Sequence, residues 1–367
     1  MEHILILAIN PGSTSTKCAL YRDGEFLCEK SISHTPEELA PYKEIIDQLP
    51  LRLTAVKGFL KEENVTAQML SAVVGRGGVI VPVKSGAYRV NQRMIDRLVY
   101  RPLGRHASNL GAILAYEIAQ LAGVEAYVYD GVSVDELFDL ARVTGDKDIS
   151  RACRCHILNM RASALKMAEQ LGKPYASVNL IVAHLGGGIT MSAHRQGRMI
   201  DVLLDSEGPL SPERSGRIPS NQLLNYAVEK GIDCKTLSKR LRGQGGLVSH
   251  FGTNDARKVE AMVAAGDKHA NEVWDAMAYQ IGKGIGELYV TLQGKVDCIV
   301  ITGGLAWSHG LVDRILPWID YLAPVTVFPG ENELEALANG AYRVVIGEES
   351  ANEYDEETDN WPKNTDE

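Results

Sequence analysis

One arrangement occurs twice in this chain and restricts its fold more than any other feature. "ILAINPGSTSTKCALYRDGEFL" opens at Ile6, and "LIVAHLGGGITMSAHRQGRMID" opens at Leu180. Each runs from an apolar strand into a glycine-bearing turn, back along a second strand, through a tight turn (Asp23-Gly24, Gln196-Gly197), and into a third strand. A unit repeated at this distance predicts two similar domains, with both glycine turns at one cleft where a ligand carrying several phosphates is held from both sides. A chain of 367 residues also exceeds the usual size of a single hydrophobic core.

The first turn has two readings. Pro11-Gly12 is strong turn punctuation, and hydroxyl residues with a solvated lysine suit a hairpin tip. The alternative is a phosphate cradle. Gly12 lets the backbone approach a ligand, Ser13, Ser15 and Thr16 offer hydroxyls, and Lys17 supplies a point charge. The helical phosphate loop G-x-x-x-x-G-K-[ST] does not occur in the sequence, so phosphate would bind on a β-hairpin. The second copy, with its triple-glycine turn, favours the cradle. A third turn, "CIVITGGLAWS" with Gly303-Gly304, follows another buried strand and is a candidate for the adenosine side of a nucleotide.

Between these turns, strands and helices alternate in the manner of an α/β protein. "LSAVVGRGG" reads as a buried strand ending in Arg-Gly-Gly, and "SNLGAILAYEIAQLAG" as a helix capped by Ser108 or Asn109 and closed by Gly123. "EAYVYDG" is a strand that delivers Asp130 at its end. The formal charge of -9 is unevenly placed: residues 348–367 carry nine acids and one lysine, leaving about -1 for the rest. That stretch reads as a disordered acidic tail, with Trp361-Pro362 as a small docking element. No basic stripe points to nucleic acid. No run approaches the length of a membrane span, and the apolar start lacks the lead of a signal peptide. The six cysteines fall in no paired zinc spacing and H-E-x-x-H is absent, so reduced thiols in a cytoplasmic protein are expected.

Taken in order, "NPGSTSTK", "VGRGG", "VYDG", "HILNMRA", "HLGGGIT", "GGL…TNDAR", "ITGGL" and "ENELEAL" resemble the motifs of the acetate and butyrate kinases, within the actin-like sugar-kinase superfamily. The opening Asn-Pro-Gly is closer to the butyrate than to the acetate branch. The resemblance runs from about Ile4 to Ile346. It implies two actin-like (ribonuclease H-like) domains with mixed sheets flanking a nucleotide cleft. The expected bounds are 1–148 with about 333–347 for the first domain and 149–332 for the second, nucleotide-binding one.

The implied reaction joins ATP and a short-chain carboxylate to give ADP and an acyl phosphate, or the reverse. A carboxylate arrives ionised at neutral pH, so the site should be rich in cations rather than bases. By resemblance Arg76 and Arg214 are the cationic pair, with Arg217 close enough to leave the second assignment open. His156 stabilises the transferring phosphoryl group, and Asp130 positions water on magnesium or His156 rather than acting as a base. Asn10 and Glu333, in preference to Glu331, serve Mg2+. Ser13, Ser15 and Lys17 take phosphate oxygens from the first domain, and His184, Gly186, Gly187 and Gly188 from the second. Gly187 replaces an asparagine of the family, so a backbone N–H stands in for a side-chain donor. Asp255 and Arg257, with Gly303 and Gly304, form the adenosine side for ATP or ADP. Gly78 and Cys155 replace bulkier residues of acetate kinase, which implies a longer acyl chain, butyrate or isobutyrate, in the pocket with Arg76. A homodimer or higher homo-oligomer is implied as well. The alternatives are an acetate or propionate kinase, and, in another class, an actin-fold ATP-binding regulator or chaperone-like protein, which has no use for Arg76, His156 and Arg214 together.

Overall fold

The computed structural model describes residues 3–355. The chain forms two compact units, one made of residues up to Asp135 together with those from Asn332 onward, the other of Glu136–Glu331. Each is built on one mixed sheet.

In the first unit the strands are β1 (Leu5–Pro11), β2 (Ser15–Arg22), β3 (Glu25–Ser33), β4 (Ala72–Gly75), β5 (Ala87–Arg89) and β6 (Glu125–Tyr129), in the order β5-β6-β4-β1-β2-β3. Every residue of β1 is buried, because β1 lies between antiparallel β2 and parallel β4. The second unit has β7 (Asn179–Leu185), β8 (Ile189–Arg195), β9 (Arg198–Leu203), β10 (Cys298–Gly303) and β11 (Val325–Pro329), ordered β11-β10-β7-β8-β9. Here β7 takes the place of β1, between antiparallel β8 and parallel β10. The repeat extends to fine detail. The register slips once in each outer pair, at Leu20/Tyr21 and at Ala193/His194. Both tight turns have two left-handed residues, Asp23 and Gly24 in one, Gln196 and Gly197 in the other. That backbone twist suits two-residue hairpin loops.

Helices cover the sheets where the sequence pattern is apolar. The helix Asn109–Ala122 buries most of its length and ends at left-handed Gly123. Ser108 precedes it without a side-chain capping bond, although its type suggested one. The helix Leu49–Glu62 buries Val56, Phe59 and Leu60, together with one arginine, Arg52. In the second unit Lys268–Thr291 packs Trp274, Met277, Ile281 and Ile285 into the core around β7 and β8.

The helix Glu333–Val345 belongs to the first unit. Beyond it the acidic segment departs from the expectation of disorder beginning at residue 348. Glu349 accepts a hydrogen bond from the Tyr129 hydroxyl at 2.9 Å, and Arg343 donates to that hydroxyl at 2.6 Å. Strand β12 (Asn352–Glu353) adds parallel to β5, and Tyr354 is 1% exposed. A buried aromatic and a tyrosine–arginine–glutamate cluster outweigh the acidic composition in these residues. The rest of the acidic stretch, with Trp361-Pro362, lies outside the described residues. Replacing Tyr354 with alanine should lower unfolding stability by about 3 kcal/mol, read from the urea midpoint. An unchanged midpoint would mean that this segment does not hold to the sheet.

Candidate active site

Two groups of expected residues form, one in each unit. In the first, β4 runs parallel to β1 and ends where Gly75 meets the helix Asn109–Ala122. A Cβ on Gly75 would lie 2.0 Å from the Gly111 carbonyl oxygen, so only glycine permits this approach. The next residue, Arg76, donates its backbone N–H to Ile9 O at 2.9 Å, which sets it beside the end of β1. Its Nη1 lies 2.9 Å from both carboxylate oxygens of Glu333 and 3.4 Å from Asn10 Oδ1. Asn10 Nδ2 in turn donates to Glu333. Asn10, Arg76 and Glu333 thus form one cluster from three distant parts of the sequence. Glu331 does not join it: its Oε1 lies 3.1 Å from His184 Nε2 in the second unit.

The hydroxyl turn is held by its own backbone and from below. Gly12 N donates to Ser15 O at 2.8 Å. Ser13 and Lys17 are exposed and Ser15 is half-buried. Thr16 is not a ligand hydroxyl as expected, since it is fully buried, bonded to His34 Nε2 at 2.8 Å and to Arg52 at 3.2 Å. Burial and the neighbouring Arg52 charge hold the His34 imidazole below its ordinary pKa.

Asp130 follows β6 in a left-handed conformation, and its Oδ1 accepts the Gly86 N–H at 2.7 Å. This strained position is sustained by the paired backbone bond from Asp130 N to Gly86 O. A small, mostly apolar cavity adjoins it, lined in part by Gly78, Ile80, Met94, Val128 and Val134. Gly78 borders this cavity, but its missing side chain does not enlarge it. A Cβ there would lie 2.7 Å from Asn109 Cα and from Leu98 Cδ2, so the space is already filled and the expected gain of pocket volume at 78 fails. His106 was not foreseen; desolvation, then the Arg76 charge, keep its imidazole below its ordinary pKa.

In the second unit His156 precedes the helix Ile157–Gln170, and its Nδ1 is 2.9 Å from Thr190 Oγ1. Its ring stacks on that of His184, with centroids 4.1 Å apart. His184 is buried, with Nδ1 bonded to Asn159 Oδ1 at 2.9 Å. The turn Gly186, Gly187, Gly188 continues from β7, and Gly187 O accepts from the Glu213 N–H and the Ser211 hydroxyl. This places Arg214 over the turn: a Cβ on Gly188 would lie 3.6 Å from its Cγ. Asp205 and Glu213 hold its guanidinium, each at 3.1 Å. Arg217 instead forms a two-pronged pair with Glu287, at 2.7 and 2.9 Å, and donates to Glu207 O. The geometry therefore groups Arg214, not Arg217, with the glycine turn.

Cys155 is buried, its Sγ 3.6 Å from that of Cys153. Asp255 caps the helix Ala256–Ala264 and binds Arg257 through Nε at 2.9 Å; the Arg257 side chain is 90% exposed. Gly303 has φ +93° and passes so close to Leu185 O that a Cβ would stand 2.4 Å away, whereas a Cβ on Gly304 would meet nothing within 4 Å. The turn after β10 is thus tight on the strand side and open beyond it. Among the described residues no group of three or more His, Cys, Asp or Glu side chains is placed to hold a metal. Nor does any helix there have the length and apolarity to cross a membrane.

Comparison with known proteins matches the sequence model described as "Acetokinase family" over residues 156–322, the stretch that carries the histidine stack, the glycine turn and Arg214. A curated "probable butyrate kinase" from Enterococcus faecalis is 45% identical over 353 residues, covering 96% of this chain and 98% of the relative. The chain belongs to the acetokinase family. Solved structures agree on the fold alone. An acetate kinase from Porphyromonas gingivalis aligns with a TM-score of 0.75 at 17% identity, covering 94% of this chain and all of that one. A propionate kinase from Francisella tularensis gives 0.71 at 18%, covering 92% and 98%. The two mixed sheets are those of the actin-like ATPase fold. Within this acetokinase, Gly78 is constrained by packing, so Gly78→Ala should lower stability by about 1–3 kcal/mol in urea unfolding. A midpoint equal to that of the wild type would free Gly78 of this role.

Proposed function

We propose that the protein transfers the terminal phosphoryl group of ATP to a short-chain carboxylate, and catalyses the reverse, ATP-forming reaction, with butyrate or isobutyrate as the preferred acid. The observation that carries this reading is the pair of arginines, Arg76 and Arg214, each oriented by carboxylates beside a glycine-bearing strand end. In the forward reaction a carboxylate oxygen forms a bond to the γ-phosphorus, the bond from that phosphorus to the bridging oxygen breaks, and ADP leaves with the electron pair. No proton has to be removed from the acid, which is ionised above about pH 5. What opposes the step is repulsion between anions, and fixed cations relieve it.

In this reading Arg76 binds the carboxylate and the transferring group, Arg214 takes phosphoryl oxygens, and His156, its ring fixed by Thr190 and the His184 stack, adds a third contact. Asp130 is engaged by the Gly86 N–H and acts through position rather than as a base. Ser13, Ser15 and Lys17 serve phosphate oxygens, as do His184 and the N–H groups of Gly186, Gly187 and Gly188. Asp255 and Arg257 with Gly303 and Gly304 receive the adenosine end. Asn10 and Glu333 suit Mg2+, which takes few protein ligands, prefers oxygen donors and keeps several waters. Bound there, the cation supplies charge neutralisation for the phosphates. The cavity beside Asp130 is apolar but only about 10 Å³ in volume, so in this reading its walls move apart to take the acyl chain.

ATP-dependent acyl hydroxamate formation, measured across acids of increasing chain length, tests both acceptor and roles. Four-carbon acids should exceed acetate in kcat/KM by about tens- to hundreds-fold, since two methylenes in an apolar pocket discriminate only to this extent. Arg76→Ala and Arg214→Ala should each lower turnover by about a hundredfold, near 2.7 kcal/mol, and Arg217→Ala by far less. An acetate preference would move the acceptor to the shorter acids, and near-normal turnover in either of the first two variants would remove that arginine from the chemistry.

A further inference from the structure

Arg52 lies on the apolar stripe of the helix Leu49–Glu62 and is 0% exposed. All of its N–H directions end on neutral acceptors. Nη1 donates to Ser15 O at 2.8 Å and Thr16 Oγ1 at 3.2 Å, Nη2 to Ser13 O at 3.2 Å and Gln48 Oε1 at 2.9 Å, and Nε to Gln48 Oε1 at 3.1 Å. Among the described residues it forms no ion pair with a carboxylate. The other titratable group against it, His34, shares the Thr16 hydroxyl; burial and then Arg52 lower its pKa, and the nearby Glu38 acts the other way.

A guanidinium stays protonated in proteins, and one withdrawn from water without a counter-charge is an expensive element of a fold. Neutral acceptors satisfy its hydrogen bonds but leave its charge uncancelled. Two of those acceptors, Ser13 O and Ser15 O, are backbone carbonyls of the turn whose outer face carries the Ser13 hydroxyl. If rigidity were all that was required, a carboxylate in place of Gln48 would hold Arg52 more strongly.

We infer that Arg52 is a positioning residue for phosphate at the Gly12–Ser15 turn, fixing the turn's carbonyls while contributing an uncancelled positive charge beneath it. This rests on the proposed reading of that turn as a phosphate site. The charge attracts a polyphosphate through the turn without touching it, and in a poorly screened interior such an attraction is weakened little by salt.

Gln48→Glu separates charge from structure, because it keeps Arg52 and its fork while supplying the missing counter-charge. Binding of ATP and of adenosine to the full-length protein is measured by calorimetry, beside thermal unfolding. Gln48→Glu should bind ATP about tenfold more weakly, bind adenosine like the wild type, and unfold at the same or a higher temperature. Arg52→Gln should show the same selective loss with lower stability. Gln48→Glu that binds ATP as tightly as the wild type would reduce Arg52 to a structural clamp and overturn the inference, and an equal loss for adenosine would do so too. A wild type that binds ATP no better than adenosine would overturn the phosphate reading of the turn as well, whereas an intact preference in both proteins overturns only the role of Arg52.

Discussion

Gly75 and Gly111 meet backbone against backbone, and the placement of Arg76 beside Asn10 follows from that crossing. A Cβ on Gly75 would stand 2.0 Å from Gly111 O, and one on Gly111 2.2 Å from Arg76 O. With neither present, the helix Asn109–Ala122 sinks against the end of β4. Arg76 then leaves the sheet level with the end of β1, where Asn10 lies. The same helix brings Asn109, whose Oδ1 accepts the Val79 N–H and whose backbone fills the space beside Gly78. An added methyl group at either glycine would displace the strand end by ångströms, and charge stabilisation in a reaction site is sensitive to displacements of that size.

In the proposed reaction the chemistry is almost wholly electrostatic. Each arginine of the pair is held by acids in a geometry that fixes its direction: Arg76 by Glu333, Arg214 by Asp205 and Glu213. Preorganised charge of this kind stabilises a transition state without reorganising during the reaction. In that proposal the acids beside the arginines orient them, and the substrate, itself an anion, supplies the nucleophile.

Much of this was legible in the sequence, for identifiable reasons. The two strand–glycine-turn–strand copies follow from alternating burial and from Asp23-Gly24 and Gln196-Gly197, whose left-handed turns leave a plain compositional mark. Arg76 and His156 stand next to glycine or helix-start signals that short motifs capture. Contacts across sequence distance left no such mark. The Arg76–Glu333 pair spans 257 residues, and the different partners of Glu331 and Glu333, or of Arg214 and Arg217, are set by packing that the sequence does not display. Arg52 did leave a signal: an arginine four residues before Val56 on an otherwise apolar helical stripe. Gly78 misled because a missing side chain suggests space, when the neighbouring Asn109 had already taken it. The acidic segment misled because composition predicts disorder on average, while Tyr354 and Glu349 each found a specific partner.

The central claim is that fixed charge, and no general base, drives the transfer. Its most direct test is the pH dependence of kcat/KM for butyrate in acyl phosphate formation at saturating MgATP. Between about pH 7 and 9, where both the acid and ATP are fully ionised, the account predicts a flat profile in the wild type, and a lowered but equally flat one in Asp130→Asn. A wild-type profile that rises with pH through a single ionisation, and loses that rise in Asp130→Asn, would show that Asp130 takes a proton and would contradict the account.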